Sequence, residues 1–191
     1  MKFYKSVIFL LTVSSLILAG EYQVDQDRVE NLVKFISDAP MEDFAGVTRK
    51  IDGYIFWEGD DLLNKSEMYF EVDLNSLDTG IGLRNRHMRE NYLETDKYPF
   101  THFTGKLVNA EVAKEGEYKV TAEGTMFIHG VEKPLTVEGT LLSADSGFRI
   151  QTTFIAALSD YNIKIPQLMF FKIDENMTLE LDFYVKKVEQ Q

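Results

Sequence analysis

Between Ser66 and Leu74 every second residue is apolar. Met68, Phe70, Val72 and Leu74 share one face, and Glu67, Tyr69, Glu71 and Asp73 share the other. A period of two places alternate side chains on opposite sides of an extended chain, so this segment is committed to a half-buried β-strand. Met177, Leu179, Leu181, Phe183 and Val185 repeat the pattern near the C-terminus against Thr178, Glu180, Asp182, Tyr184 and Lys186. Similar runs occupy Ile51–Trp57, Phe103–Val108, Tyr118–Ile128, Leu135–Leu141 and Phe148–Leu158, with shorter ones at Tyr22–Val24 and Leu32–Ile36. The breaks Glu58-Gly59-Asp60-Asp61, Lys114-Glu115-Gly116-Glu117 and Ala144-Asp145-Ser146-Gly147 are short and polar, and each offers a glycine for positive φ. Short turns between alternating strands make antiparallel hairpins. The chain therefore reads as all-β, with roughly eight or nine strands in a barrel or a sandwich.

One helix interrupts the strands, over Ile81 to Tyr92. Leu83, His87 and Glu90 share a face of it by spacing, and Asp78 and Thr79 supply capping oxygens upstream. Pro99 forbids its continuation and starts the next strand. A second short turn or helix is expected near Ser159–Ile165, ending at Pro166, and another at Asp43-Phe44-Ala45-Gly46. Apolar residues also spill onto the second strand face, at Tyr54 and Phe56, at Phe127, at Ile155 and along Leu168-Met169-Phe170-Phe171. That surplus needs covering, either by an element packed outside the sheet or by a rim around an apolar cavity.

The N-terminus reads as a signal peptide over residues 1–20. Lys2 and Lys5 precede the apolar run Val7 to Leu18, followed by small Ala19 and Gly20 and polar Glu21. The run is shorter than the roughly 20 residues that span a bilayer, so cleavage after Ala19 or Gly20 is expected rather than anchoring. This predicts a periplasmic or secreted protein, with no stable membrane span after cleavage and residues 21–191 as one domain. The net charge of −11 becomes −13 once Lys2 and Lys5 are removed. Such a domain binds phosphate backbones poorly, which argues against nucleic acid. It also disfavours residence on an anionic membrane. There is no cysteine, so neither disulfides nor thiolate chemistry contribute. A homodimer is compatible with the sequence but not required by it.

Few residues suggest chemistry. His87, His102 and His129 have no metal-binding spacing. His102 alternates with Phe103 and so faces outward. His129 ends a strand before Gly130 and reads as a cap for turn backbone groups. Arg84, Arg86 and Arg89 cluster in an otherwise acidic chain. Their guanidinium forks suit a phosphate or carboxylate head group, and pairing with Asp78, Glu90 or Glu94 is the plainer alternative. Ser143, Ser146 and Ser159 lack a nucleophile elbow, and no phosphate-binding or metalloprotease motif is present. No catalytic residue, metal site or cofactor is expected. Asn176-Met177-Thr178 matches a glycosylation sequon in letters only.

Two phrases carry more information than the rest. One runs Val72-Asp73, Ser76-Leu77-Asp78-Thr79-Gly80, Arg84-Asn85, His87-Met88-Arg89, then Tyr98-Pro99 and Phe103. The other is Gly124-Thr125-Met126-Phe127-Ile128-His129-Gly130-Val131-Glu132-Lys133-Pro134. In this order they resemble the YceI family, over roughly Tyr22 to Val185. The N-terminal third departs from it: Tyr22-Gln23-Val24-Asp25 leads into Gln26-Asp27-Arg28-Val29-Glu30 where the family carries His-Ser-x-Val-x-Phe. The resemblance implies an exported antiparallel, lipocalin-like β-barrel of about eight strands. It also implies non-enzymatic binding or carriage of a polyisoprenoid, or of a similar amphiphile such as a fatty acid or amide. The residues implied to line the lumen are Phe70, Val72, Phe103, Met126, Ile128, Phe154, Leu158, Leu181 and Phe183, with Arg89 toward the head group. Two alternatives stand beside this reading: a metal-assisted or acid–base hydrolase in the same barrel, and an interaction module with a solid core.

Overall fold

A computed structural model of the chain describes residues 19–37, 44–165, 167–168, 171–172 and 174–188. Each alternating run forms a strand. In chain order these are β1 (Ala19–Val24), β2 (Leu32–Ser37), β3 (Phe44–Thr48), β4 (Ile51–Glu58), β5 (Glu67–Asp73) and β6 (Phe100–Lys114). They continue with β7 (Glu117–Ile128), β8 (Val131–Ala144), β9 (Gly147–Ala157), β10 (Gln167–Leu168), β11 (Phe171–Lys172) and β12 (Asn176–Lys187). The expected leader lies almost wholly outside the described residues. Ala19 and Gly20, where the cut was placed, open β1 opposite Glu58 and Trp57.

The wall is a closed antiparallel ring. Its order is β1-β4-β5-β6-β7-β8-β9-β12, and β12 pairs back onto β1. β2 and β3 extend this ring rather than add to it. β12 meets β1 at Val185–Lys187 and β2 at Met177–Asp182, so β1 and β2 act as one bent strand along its edge. β3 and β4 do the same on the far side of that strand. Eight wall strands result, as an up-and-down barrel. Closure removes the two long edges that an open meander would have; β3, last in the order, is tied to the β5–β6 connection by the Val47–Asp78 bridge.

The break between β1 and β2 is spliced by a side chain. The Asp25 amide donates to the Tyr184 carbonyl at 2.8 Å, the last ladder bond of β1. Residues 26–30 then loop outward. Asn31 rejoins the edge: its Oδ1 accepts from the Tyr184 amide at 3.0 Å, and its Nδ2 donates to the Asp25 carbonyl at 2.8 Å. The side chain thus satisfies backbone groups that a missing strand residue would have satisfied. Asn31 is only 1% exposed, so water cannot replace it.

Charge pairs reinforce the same seam. Asp25 accepts from Lys186 Nζ at 2.8 Å and from Arg28 Nε at 3.3 Å. Arg149 on β9 forms a two-pronged pair with Asp182 on β12, and Gln151 donates to the same carboxylate. The Lys186 hydrogen bond holds the Asp25 carboxyl below its usual range. The Arg149 bond does the same for Asp182.

The two barrel ends differ. At the hairpin end the turns after β6 and β8 are two residues long, and the turn after β4 covers residues 59–66. The lumen there is stoppered by Tyr22, Trp57 and Phe148. Tyr22 stacks on Trp57 at 4.8 Å, and Phe148 meets both edge-on at 5.1 and 5.7 Å. The other end carries the β5–β6 connection, the β7–β8 turn and the β9–β12 connection. The β5–β6 connection holds the helix α1 (Gly82–His87), which continues as a wider π-turn over Met88–Tyr92. We call this the helical end.

Several expectations need correction. Phe44 begins strand β3 rather than a turn or helix, and Asp43 lies outside the described residues. Strand β6 continues past Val108 to Lys114 because a bulge there shifts the register by one, which breaks the two-residue period. Leu83, His87 and Glu90 do share a helix face, but it faces solvent; Leu83 is 55% exposed. Asp78 and Thr79 do not cap α1 directly, since the N-cap position, Ile81, makes no side-chain cap. The turn near Ser159 is a 3₁₀ turn, Leu158–Tyr161, stopped by Asn162 at φ 56°.

Asn31→Ala should lower unfolding free energy in urea by about 1–3 kcal/mol, since it orphans two buried backbone groups. The two depressed carboxyls set a direction with pH. Their stabilising contribution is complete above the ordinary aspartate value of about 3.9 and disappears as pH falls through their lower folded values. Thermal midpoints of the wild type and of Asp182→Asn should therefore converge as pH drops below that value. Curves that stay parallel into strong acid contradict this assignment.

Candidate functional site: an apolar cavity in the barrel

Inside the ring is a cavity with about 790 Å³ of atom-free space, open solvent at its mouth included. Its walls come from β4 through β9 and from β12, with no residue of β1–β3. The alternation seen in the sequence is what delivers them: odd positions of β8 and β12 and even positions of β5, β7 and β9 point inward.

Missing side chains help keep the space open. Gly105 and Gly124 face each other across the β6–β7 ladder at inward positions. A Cβ on either glycine would sit 2.7–2.8 Å from the Phe103 ring, and closer still to the Glu123 or Thr104 carbonyl oxygen of the facing strand. A side chain at either position would drive the ring toward the barrel axis. Gly139 on β8 also lines the cavity, and a Cβ there would sit 2.8 Å from the Gln151 carbonyl oxygen.

The lining is chemically bland. Thr101 donates its hydroxyl to the Phe127 carbonyl at 2.6 Å, and Thr152 donates to the Glu138 carbonyl at 2.7 Å. Both hydroxyls are spent on the wall. His102 and Glu138 belong to outward positions of wall strands that the cavity touches. The His102 ring stacks on Phe127 at 4.7 Å and lies 5.4 Å from Tyr69, on the outside of the barrel. This outer aromatic row accounts for the apolar surplus at Phe127. Burial and the hydrogen bond to Glu71 push the Tyr69 hydroxyl up to about 12.

The sequence-derived residues divide three ways. Phe70, Val72, Phe103, Met126, Phe154, Leu181 and Phe183 all line the cavity. Ile128 and Leu158 do not; they pack in a second cluster around Met126, Tyr161 and Ile163 at the helical end. Arg89 also stands apart from the cavity, with its guanidinium 3.5 Å from the Asn75 carbonyl. Sequence reasoning missed Ile51, Ile55, Leu107, Val137, Leu141 and Ile150, which the same alternation marks as inward. The side chains of Leu168, Met169, Phe170 and Phe171 lie outside the described residues.

The two informative phrases both fold at the helical end, as clasps. Asp78 Oδ1 accepts from the Gly80 amide and from Asn85 Nδ2, while Asn85 Oδ1 accepts from both the amide and the hydroxyl of Thr79. The Asn85 bond lowers the Asp78 carboxyl below its usual range. This knot fixes the entry to α1. Arg84 lies over the Phe44 ring at 4.7 Å. Among the described residues Arg84, Arg86 and Arg89 form no salt bridge.

The His129 ring bonds to two other connections rather than capping its own turn. Held at φ 50°, it sets Nδ1 3.1 Å from the Tyr161 carbonyl and Nε2 2.9 Å from Glu94 Oε2. One imidazole thus ties together three connections of the helical end. No group of three metal-ligating side chains occurs among the described residues.

Comparison with known proteins places this architecture. An UPF0312 protein of Pseudomonas putida (strain W619) is 28% identical over 186 residues, covering 91% of this chain and 89% of its own length. Among solved structures, Burkholderia cenocepacia BcnA superposes with a TM-score of 0.68 at 16% identity, covering 83% of this chain and 97% of that one. A polyisoprenoid binding domain from Saccharophagus degradans superposes with a TM-score of 0.63 at 16% identity, covering 90% and 99%. At such identities the two structures speak to the fold, which they share with this barrel. The YceI-like domain matches residues 22–185, nearly the whole described barrel, and the chain belongs to that family.

Proposed function

We propose that the barrel binds and carries a long-chain apolar amphiphile of the polyisoprenoid or fatty-acyl class, without catalysing its conversion. The observation that carries this reading is the cavity itself. Its lining is built from inward aliphatic and aromatic residues, and its two inward hydroxyls are already bonded to the wall. Such a lumen offers no polar anchor to a small hydrophilic molecule. It does offer about 0.8 kcal/mol for each methylene withdrawn from water, so a chain of ten or so groups is held by its tail alone. A fatty acid, a fatty amide and an isoprenoid all meet that requirement. The polyisoprenoid binding described for the Saccharophagus domain agrees with the class.

The reading includes export. The N-terminal run has the order of a cleaved leader, and we propose that the mature barrel works in the periplasm or outside the cell. A lipid crossing an aqueous compartment needs such a shelter.

Organic extraction of protein purified after export, followed by mass spectrometry, should recover a long-chain lipid near one per barrel. Two variants test whether the lumen is the place. Phe154→Arg puts a charge on the cavity wall. Val137→Trp fills lumen space with an apolar ring. Both should retain at least about tenfold less lipid than wild type, a loss equivalent to about 1.4 kcal/mol of affinity, with an unchanged far-ultraviolet dichroism spectrum. Full lipid content in both folded variants would remove the cavity from the mechanism. A protein that neither carries lipid nor takes up a fluorescent long-chain fatty acid is an interaction module instead.

A further inference from the structure

The ladder between β8 and β9 is incomplete. It runs from Ala144 and Gly147 to Gly139 and Thr152, and there it stops. β8 nevertheless continues to Val131 on its β7 side, and β9 continues to Ala157 on its β12 side. Thr153–Ala157 of β9 therefore faces β8 without pairing, which leaves a slit roughly 17 Å long at about 3.3 Å per residue. It opens through the wall of the cavity: Val137 on one side and Phe154 on the other both line the lumen, and both are only half-buried.

The slit has a cause in the sequence. The Glu138 carbonyl points toward β9, because it accepts the Thr152 hydroxyl at 2.7 Å where the ladder ends. Backbone groups alternate sides along a strand, so position 134 points the same way. Position 134 is proline, which has no N–H to give. A strand that must pair on that side does not tolerate it; a strand whose ladder has already ended does.

The lower half of the slit is occupied by side chains, not by backbone pairing. Tyr161 and Ile163, both 5% exposed, form one cluster with Val131 and Leu135 of β8 and Ala156 of β9. Few polar contacts hold this plug to the β8 side. His129 Nδ1 meets the Tyr161 carbonyl at 3.1 Å, and Lys133 lies 3.5 Å from Asp160.

We propose that the β8–β9 slit is the side portal by which an apolar chain enters and leaves the lumen, with Tyr161 and Ile163 as its displaceable plug. This rests on the lipid-binding reading above. The alternatives are costlier. The hairpin end is closed by the stacked Tyr22, Trp57 and Phe148. The helical end is not an independent route, since Tyr92 and Leu93 cover the same cluster of Met126, Tyr161 and Ile163 that forms the plug. Between the other neighbouring strands that line the cavity, β4 to β8 and β9 with β12, a chain must break backbone ladder bonds to cross the wall. At the slit it needs only to displace side chains, and it can peel out sideways without exposing its full length to water at once.

The test uses Thr136→Cys with Ile155→Cys. By continuation of the register these positions oppose each other across the slit. Both side chains face outward and are exposed, and the protein has no cysteine of its own. A short bismaleimide joins them; single-maleimide capping of both is the control. The readout is the rate at which a bound fluorescent long-chain fatty acid transfers to excess phosphatidylcholine vesicles. Cross-linking should slow transfer at least about tenfold relative to the capped control, equivalent to a barrier about 1.36 kcal/mol higher. Ile163→Ala, in the unmodified background, should speed it severalfold. Equal rates in the cross-linked and capped proteins overturn the portal while leaving lumen binding intact. Failure of the wild-type protein to bind the fatty acid overturns both.

Discussion

Strand β12 is the constraint on which the rest depends. It is the only described strand that pairs with three others, β9 on one edge and β1 then β2 on the other. Without that divided pairing the wall is an open meander with two long edges. With it the sheet closes at eight strands, a size at which the interior is just wide enough for side chains to fill or for one small ligand to occupy. Which outcome prevails is then a matter of side-chain volume at inward positions. Trp57, Tyr22 and Phe148 fill the hairpin end. Gly105, Gly124 and Gly139 leave the middle of the β6–β8 wall thin. The same backbone geometry therefore yields a plug at one level and a cavity at the next.

The concentration of sequence signal at the helical end has a mechanical explanation. At the other end the β6–β7 and β8–β9 turns are two residues long, and any residues that satisfy a tight turn suffice there. The helical end has to organise the long β5–β6 and β9–β12 connections, which lie outside the ladders of the ring. It does so with side chains: the Asp78–Thr79–Asn85 knot, the Glu94–His129–Tyr161 tie and the tyrosine ring of Tyr98, which packs against His129 at 4.9 Å. Gly130 is part of this arrangement, since at φ 78° a Cβ there would lie 2.7 Å from Tyr98. Residues that looked in sequence like candidates for chemistry are here occupied in holding the connections in register.

What could be read in advance follows from this division. The strands were legible because burial on one face imposes a period of two, and inward residues such as Phe70, Met126 and Phe183 followed from the same count. Three kinds of feature were not legible. Bulges such as that at Val108 shift the period without marking the sequence. The helix face was misjudged because spacing shows which residues share a side but not which side meets the barrel; the half-buried side proved to be that of Arg84, Asn85 and Met88. Asn31 was passed over entirely, because a polar residue in a loop gives no sign that it replaces a strand's backbone. Pro134 was a legible signal left unread: a proline inside a run otherwise typical of a paired strand argues that one side of that strand is unpaired.

An interrupted ladder in a barrel wall has to be reconciled with stability. Unpaired backbone groups are costly when buried away from water and nearly free when solvated. The outer edge of the slit, at Thr136 and Ile155, is exposed, so water can serve those groups. Its inner side faces an apolar lumen, where the cost falls on the even-numbered positions of β8 that point toward β9. Pro134 removes one donor from that set, and the Thr152 hydroxyl satisfies the Glu138 carbonyl. Tyr161 and Ile163 then cover the lower part with apolar contacts that require no fixed register. A ladder is held by directional bonds and opens cooperatively. A side-chain plug is held by non-directional burial, so it can shift to admit a flexible chain and recover when the chain has passed.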